Sequence, residues 1–315
     1  MLRLIVNRLL LGVLTLFAVS VLIFVCTEIL PGDVASAVLG QGATPEALIV
    51  FRRELGLNDP AYVRYFNWLW GALQGDLGVA MTNKRVIVDE LAPRLYNTLF
   101  LAGYAAIIAI PVSVGLGILA AINEGKAVDK TSNVLTLIAI SIPEFFIAYL
   151  LIILFVVNLG WFPSLATVSA GMSFSERVYI TTLPAFALML LVSAHMLRMT
   201  RSSVLAVMSS AYIEMAFLKG ATRSRVIARH ALPNAAAPII TVVALNIAYL
   251  VVGVVVLESV FVYPGIGQLM VDAVSKRDVP VIQACGLVFA AVFVVLNTFA
   301  DVMVILVNPR LRHKR

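Results

Sequence analysis

The stretch EMAFLKGATRSRVIARHALPNA, from Glu214 to Ala235, interrupts one of the most apolar parts of the chain. Long apolar segments flank it, near 183–207 and 236–261. It carries Lys219, Arg223, Arg225 and Arg229 against one acid, Glu214, with Arg198 and Arg201 just upstream. Glu214 begins a short helix with Ala216 and Phe217. Gly220 stands at the C′ position that glycine favours, because it adopts left-handed backbone at no steric cost. Helix resumes through Ser224, Val226 and Ile227, and Pro233 is expected to mark the next boundary. Such a short helix is a compact knob that can sit in a groove on a soluble partner and pass rigid-body motion to both spans. An ordinary basic loop has the same charge, and charge alone favours that plainer reading.

Working outward, the 315 residues are 61% hydrophobic and 13% charged, with a mean hydropathy of +1.00. A soluble domain is about 25% charged. The sequence therefore predicts an all-α polytopic membrane protein. Six segments reach the ~20 residues needed to span, near 9–30, 97–122, 132–158, 183–207, 236–261 and 281–307. The N-terminal apolar run is too long for a signal peptide and lacks a small-x-small cleavage site, so it reads as a retained first span. The net charge of +6 speaks to topology and anionic lipid, not nucleic acid. Cys26 and Cys285 fall inside apolar runs and frame neither a disulfide network nor a metal motif.

Six spans put both termini on one side. With the termini cytoplasmic, the inner segments hold fourteen cations and the two short outer loops three, namely Arg177, Lys276 and Arg277. The positive-inside rule then places the termini and the 208–235 loop in the cytoplasm. The first outer loop, 31–96, is too long to vote. It predicts a helix from Thr44-Pro45 to Gly56 and a second amphipathic piece with Tyr62, Tyr65, Phe66, Trp68 and Trp70. Two placements of these aromatics stay open: the membrane interface, or the protein's own helix ends.

The chain has no G-x-x-x-x-G-K-[ST], G-x-S-x-G or H-E-x-x-H, and no Cys/His cluster with metal spacing; His195, His230 and His313 are isolated. It reads as a conduit without covalent chemistry. If ATP drives transport, the energy comes through another subunit.

Spacing sharpens the reading of 214–235. Six residues separate Glu214 from Gly220, with Ala216 between, and Leu232-Pro233 follow at twelve and thirteen. This resembles the E-A-A-x-x-x-G signature of bacterial ABC-importer permeases, with Met215 for the first alanine and His230 where isoleucine is common. LPGD (30–33), LGLNDP (55–60), GDLGVA (75–80), RLYNTLFLA (94–102), IPEFFIAYLLIILFVVNLGWFP (142–163), RMTRSSVL (198–205), LESVFVYPGIGQLMVDAV (257–274), RDVPVIQA (277–284) and NPRLR (308–312) extend the likeness over essentially the whole chain. Their order and spacing are similar to the dipeptide/oligopeptide/nickel permease family. The resemblance implies a type I ABC importer (MetI-like) permease fold with six transmembrane helices and a helical extracytoplasmic insertion after the first. It implies a second homologous permease, two ATPase subunits that hold ATP and Mg, and an extracytoplasmic solute-binding protein, in a bacterial inner membrane. It implies no cofactor on this chain. Glu214, Ala216, Phe217, Lys219, Gly220, Arg223, Arg225, Leu232 and Pro233 are then the ATPase-coupling residues. Substrates in the family include peptides, nickel chelates, glutathione, opines and sugars.

Ionisable groups at membrane depth are functional candidates because burying them is costly. Glu144 lies about twelve residues into the third span, near mid-bilayer at ~1.5 Å per residue. Pro143 before it loosens the helix. The family more often has a small residue here. Glu144 is either a cavity-lining carboxylate that meets a cationic group or a structural acid at the partner-permease interface. His195 is expected in a polar contact between helices, and Asp301 in a charge pair with Arg198 or Arg201. Glu258 opens a segment in which Pro264, Gly265 and Gly267 form an irregular turn, read as part of the outer gate or as a simple tight turn. Asp33, Asp59 and Asp76 mark the first outer loop as the contact for the solute-binding protein; the alternative is a loop that merely caps the spans. A rival function is an ion-coupled secondary carrier relaying protons through Glu144, His195 and Asp301. Such carriers usually show inverted repeats, and none is visible. A membrane scaffold or enzyme is disfavoured because no catalytic constellation is present.

Overall fold

A computed structural model describes residues 2–29, 44–46, 49–50, 59–169 and 171–307. Asp33 and most of the helix expected between Thr44 and Gly56 lie outside the described residues. The described chain is almost entirely helical: α1 (Leu2–Ile29), α2 (Ala61–Leu73), α3 (Ile87–Ile122), α4 (Ala127–Ser141), α5 (Glu144–Asn158), α6 (Phe174–Met208), α7 (Ala211–Leu218), α8 (Arg223–Val260), α9 (Ile266–Lys276) and α10 (Val279–Val307).

Five of these helices, α1, α3, α6, α8 and α10, are long and apolar enough to cross a membrane. The segment expected as one third span is instead two helices, α4 and α5, bent by 104°. Pro143 explains the break. The residue before a proline is pushed out of the helical region, and Ile142 is extended at φ −91°, ψ 128°. The pair still crosses the bundle. Asp129 at its start pairs with Arg201 near the end of α6, and beyond its end the Ala166 amide bonds the Phe261 carbonyl after α8, at 2.8 Å.

Helix ends are tied in pairs. Arg8 on α1 meets Asp301 on α10 at 3.0 Å, and Gln283 at the start of α10 donates to Thr27 near the end of α1 at 2.8 Å. These two helices are therefore antiparallel, and the start of α1 and the end of α10 lie at the end of the bundle that carries α7, here the terminal end. Asp301 is thus paired with Arg8, not with Arg198 or Arg201 as expected. Arg8 lies on a different span, so its place beside Asp301 is set by packing and not by spacing.

The core joins α3, α5, α6 and α8 through Leu101, Ala105, Ala148, Leu188, Met196, Leu250 and Val254. Small residues let these helices approach closely, as association inside a bilayer requires. At the tightest point, a Cβ on Gly117 would lie 2.8 Å from Thr200 Cβ and 2.9 Å from the Leu197 carbonyl oxygen.

Candidate functional site

At the terminal end, α7 begins after Ser210, so Glu214 is its fourth residue. Ile213 is its buried anchor, packed with Val226 and Ala231 and flanked by Val207, Met208, Ala216 and Ala221. Gly220 follows the last turn at φ +80°, and its surroundings are open. Its amide donates to Phe217 O at 2.9 Å, and the next amide, Ala221, reaches Ala216 O at 3.2 Å. This left-handed closure satisfies the last carbonyls and turns the chain sharply back. The outward side of α7 shows Tyr212, Met215, Phe217 and Leu218, with Glu214 and Lys219 also exposed.

The chain re-enters helix at Arg223, but Pro233 does not mark a boundary. Residues 223–260 run as one helix, with π-type turns at Ile227–Ala231. A proline inside a helix lacks a donor and crowds the carbonyl four residues back. The wider turn immediately before Pro233 absorbs both problems. The tip thus hangs between two stiff levers, α6 and α8. Arg223 also braces it, donating from Nη2 to the Ile122 carbonyl at the end of α3, at 2.6 Å. Cations suit helix C-termini for this reason. Arg225 and Pro233 are exposed and Leu232 is half-buried.

A second brace lies nearby. Arg201 on α6 donates from Nε and Nη2 to the two Asp129 oxygens at 2.5 and 2.9 Å. Asp129 also accepts from Gly125 N and Asn133 Nδ2, both at 3.0 Å. This nearly buried carboxylate locks the α3–α4 turn to the lever that carries α7. Sequence reading missed Asp129, since a single acid beside two lysines at a span end gives no spacing signal.

Within the span, Glu144 is the first residue of α5, a favourable place for a carboxylate against the helix dipole. It is half-buried, between exposed Pro143 and exposed Phe145. His195 is exposed on α6, so the expected polar contact between helices does not form within this chain. Among the described residues neither Glu144 nor His195 has a hydrogen-bond or ion-pair partner. Asp301 is held by Arg8. The three residues of the proton-relay alternative therefore form no connected path.

At the far end, Glu258 is wholly buried. Its Oε1 accepts from Thr98 Oγ1 at 2.6 Å, and its Oε2 from the amides of Gly267 at 2.7 Å and Gln268 at 3.2 Å. Thr98 Oγ1 in turn accepts from Ile266 N at 2.9 Å. Ile266, Gly267 and Gln268 open α9, so α8 and α3 together satisfy the amides a helix start leaves orphaned. Asn97 donates to Pro264 O at 2.9 Å, and Tyr263 Oη to Asn97 O at 2.9 Å. Burial raises the Tyr263 phenol above its ordinary pKa and keeps it a donor. The glycines are required by space. A Cβ on Gly265 would land in the Glu258 carboxylate, and one on Gly267 would sit 2.6 Å from Val255 Cα. Turn 258–268 is thus a welded joint between α3, α8 and α9.

Asp278 is a further buried acid that sequence reading missed. It accepts from Met81 N at 3.1 Å, Thr82 N at 2.9 Å and Thr82 Oγ1 at 2.8 Å. It pins the end of the first long loop to the start of α10. Asp59 and Asp76 are exposed, and Asp76 accepts locally from Gly78 N at 2.8 Å. Among the described residues no group of three or more His, Cys, Asp or Glu is placed to hold a metal ion.

Comparison with known proteins fits this architecture. Residues 113–313 match the family described as "Binding-protein-dependent transport system inner membrane component", and residues 1–102 match its N-terminal counterpart. The glutathione transport system permease protein GsiC of Escherichia coli strain K12 is 38% identical over 314 residues, covering all of both chains. GsiC of Shigella dysenteriae serotype 1 matches equally. A solved chain of the MetNI methionine ABC transporter, in an inward-facing conformation, superposes with a TM-score of 0.54 at 17% identity, covering 69% of this chain and 96% of that one. At that identity it shows the fold alone. Matched over nearly its whole length by the two family models and end to end by relatives at 38% identity, the chain belongs to the inner-membrane permease components of binding-protein-dependent ABC importers.

Proposed function

We propose that this permease imports glutathione or a short peptide of similar size, and that α7 with the Gly220 turn couples it to ATP hydrolysis. The observation that carries the coupling role is the tip itself. An eight-residue helix, anchored by Ile213 with Ala216 beside it, turns Tyr212, Met215, Phe217 and Leu218 outward from the ends of two rigid helices. The cation balance of the loops favours a cytoplasmic terminal end. On this reading Glu214, Ala216, Phe217, Lys219, Gly220, Arg225, Leu232 and Pro233 form or shape the contact with an ATPase subunit, and Arg223 braces it.

Two ATPase subunits carrying ATP and Mg, a second permease and a solute-binding protein complete the transporter. Substrate passes between the two permeases. Glu144 faces that passage, since the helix break leaves exposed Ser141 and Pro143 at span depth. Irregular backbone there requires water or protein beside it. His195, exposed on a span, has the same requirement. Glu258, Pro264, Gly265 and Gly267 serve as the rigid joint behind the far-end gate. Asp59 and Asp76, with Asp33 in the same loop, face the binding protein. The substrate assignment leans on the glutathione transport function named for the full-length relatives.

The test is reconstitution of the full complex in liposomes with its binding protein, following uptake of labelled glutathione, tripeptides and dipeptides. ATP-dependent glutathione uptake is expected. Uptake by this chain alone, without ATP, defeats the proposal. Transport of only peptides or only a metal chelate removes glutathione and leaves the coupling role standing.

A further inference from the structure

We propose that the outward face of α2 is a membrane anchor, with Tyr62, Phe66, Trp70 and Leu73 seated in the lipid leaflet at the far end of the bundle. This surface is separate from the coupling tip and does not depend on the substrate. At 100° per residue the four side chains fall within an arc of about 80°. They are 67, 60, 65 and 72% exposed. No charge interrupts them. The one ion of α2, Arg64, turns the other way and pairs with Glu28 on α1.

Depth decides what covers this face. The opposite side of α2 packs on α1 through Tyr65 and Trp68, whose rings lie 5.3 and 6.3 Å from that of Phe24. Tyr65 Oη shares a 2.8 Å hydrogen bond with Ser20 Oγ. Ser20 lies nine residues before the end of α1, or about 13 Å below it at 1.5 Å per residue. The apolar part of α1, Ile5–Ile29, is about 37 Å long on the same rise, against a hydrocarbon core of ~30 Å. The contact with α2 therefore reaches membrane depth, and a helix held there cannot have water on its apolar side.

The neighbouring surface is bare as well. Only 11% of the α1 span is buried, against 33–61% for the other four long helices. The stripe on α2 continues that bare face sideways. Tyr and Trp are the residues that settle at the headgroup boundary, where an apolar ring and a polar edge are both satisfied. Asn67, the exposed polar residue of α2, lies about 100° around the helix from the centre of the stripe. A partner that docks and leaves during transport would expose four large apolar side chains in each cycle; lipid covers them permanently.

The experiment uses the full complex in phosphatidylcholine–phosphatidylglycerol nanodiscs. Nitroxide labels are placed by Phe66→Cys, Trp70→Cys or Asn67→Cys in a Cys26→Ala background, because Cys26 is exposed and Cys285 is buried. Collision rates are read with oxygen and with a water-soluble nickel chelate. The oxygen-to-nickel ratio at 66 and 70 is expected to exceed that at 67 by at least ~10-fold, given the cost of bringing a polar chelate into hydrocarbon. Equal ratios at the three sites put the stripe in water and overturn the proposal. Exclusion of both reagents at 66 and 70 puts it under a protein partner and overturns it equally.

Discussion

Replacing Glu258 by alanine is the sharpest test of the far-end joint. The change removes the acceptor of three donors: the Thr98 hydroxyl, Gly267 N–H and Gln268 N–H. The site is fully buried, so water does not replace the carboxylate without opening the joint. Each donor left unsatisfied costs about 1–3 kcal/mol. The 3.2 Å bond to Gln268 is the longest of the three and contributes least. A total near 4 kcal/mol is expected, before any cavity is counted. At about 2 °C per kcal/mol for a chain of this size, the melting temperature falls by at least ~8 °C. Glu258→Gln keeps the shape. Its amide oxygen serves the two backbone amides while its NH₂ faces Thr98, so its cost is about 1–2 kcal/mol. The assay is scanning fluorimetry of the complex in nanodiscs, paired with ATP-driven uptake. An alanine variant that melts within about 2 °C of wild type would refute the capping role, since three buried donors would then have lost their acceptor at no cost.

At the terminal end, Gly220→Val forces a β-branched residue to φ +80° and costs at least ~1–2 kcal/mol locally. The expected outcome is loss of coupling between ATP hydrolysis and uptake with the spans intact; normal ATP-driven uptake in this variant and in Glu214→Lys counts against the coupling assignment. For the Asp129–Arg201 brace, a double-mutant cycle with Asp129→Asn and Arg201→Gln is expected to give a coupling energy of about 1–3 kcal/mol, measured by thermal or denaturant unfolding. Additive effects would mean that the 2.5 Å contact contributes nothing. Val262 closes the end of α8 at φ +52°, a left-handed position that a β-branched residue rarely adopts. Val262→Gly is expected to relieve roughly 1 kcal/mol of strain and raise the melting temperature; a lower one would show that the side chain, not the backbone, matters there.

Much of the architecture was legible because the bilayer imposes simple rules. Runs of about 20 apolar residues were sufficient to find the membrane-crossing helices. Gly220 could be placed because glycine is the residue that ends a helix on positive φ without strain. A local loosening at Pro143 was legible too, but not that it breaks the segment into two helices bent by 104°. A proline forbids helix at the preceding residue and says nothing about the direction the chain then takes. Pro233 misled for the opposite reason. The same steric conflict that usually ends a helix was absorbed by one widened turn, and local sequence does not choose between those outcomes.

The sequence by itself determined the periodic and compositional features: where long apolar helices lie, the glycine turn after the short helix at Glu214, and, through ordered motifs, the family. The tertiary structure alone decided the partners of the charges. Asp301 went to Arg8, Arg201 to Asp129, Glu28 to Arg64 and Asp278 to the loop at Thr82, each across a gap of at least 36 residues. Pairing of this kind depends on which helix faces which, and that is set by small-residue packing such as Gly117 on Thr200. The same packing makes Glu258 a buried cap, because only the folded chain brings the start of α9 under the end of α8.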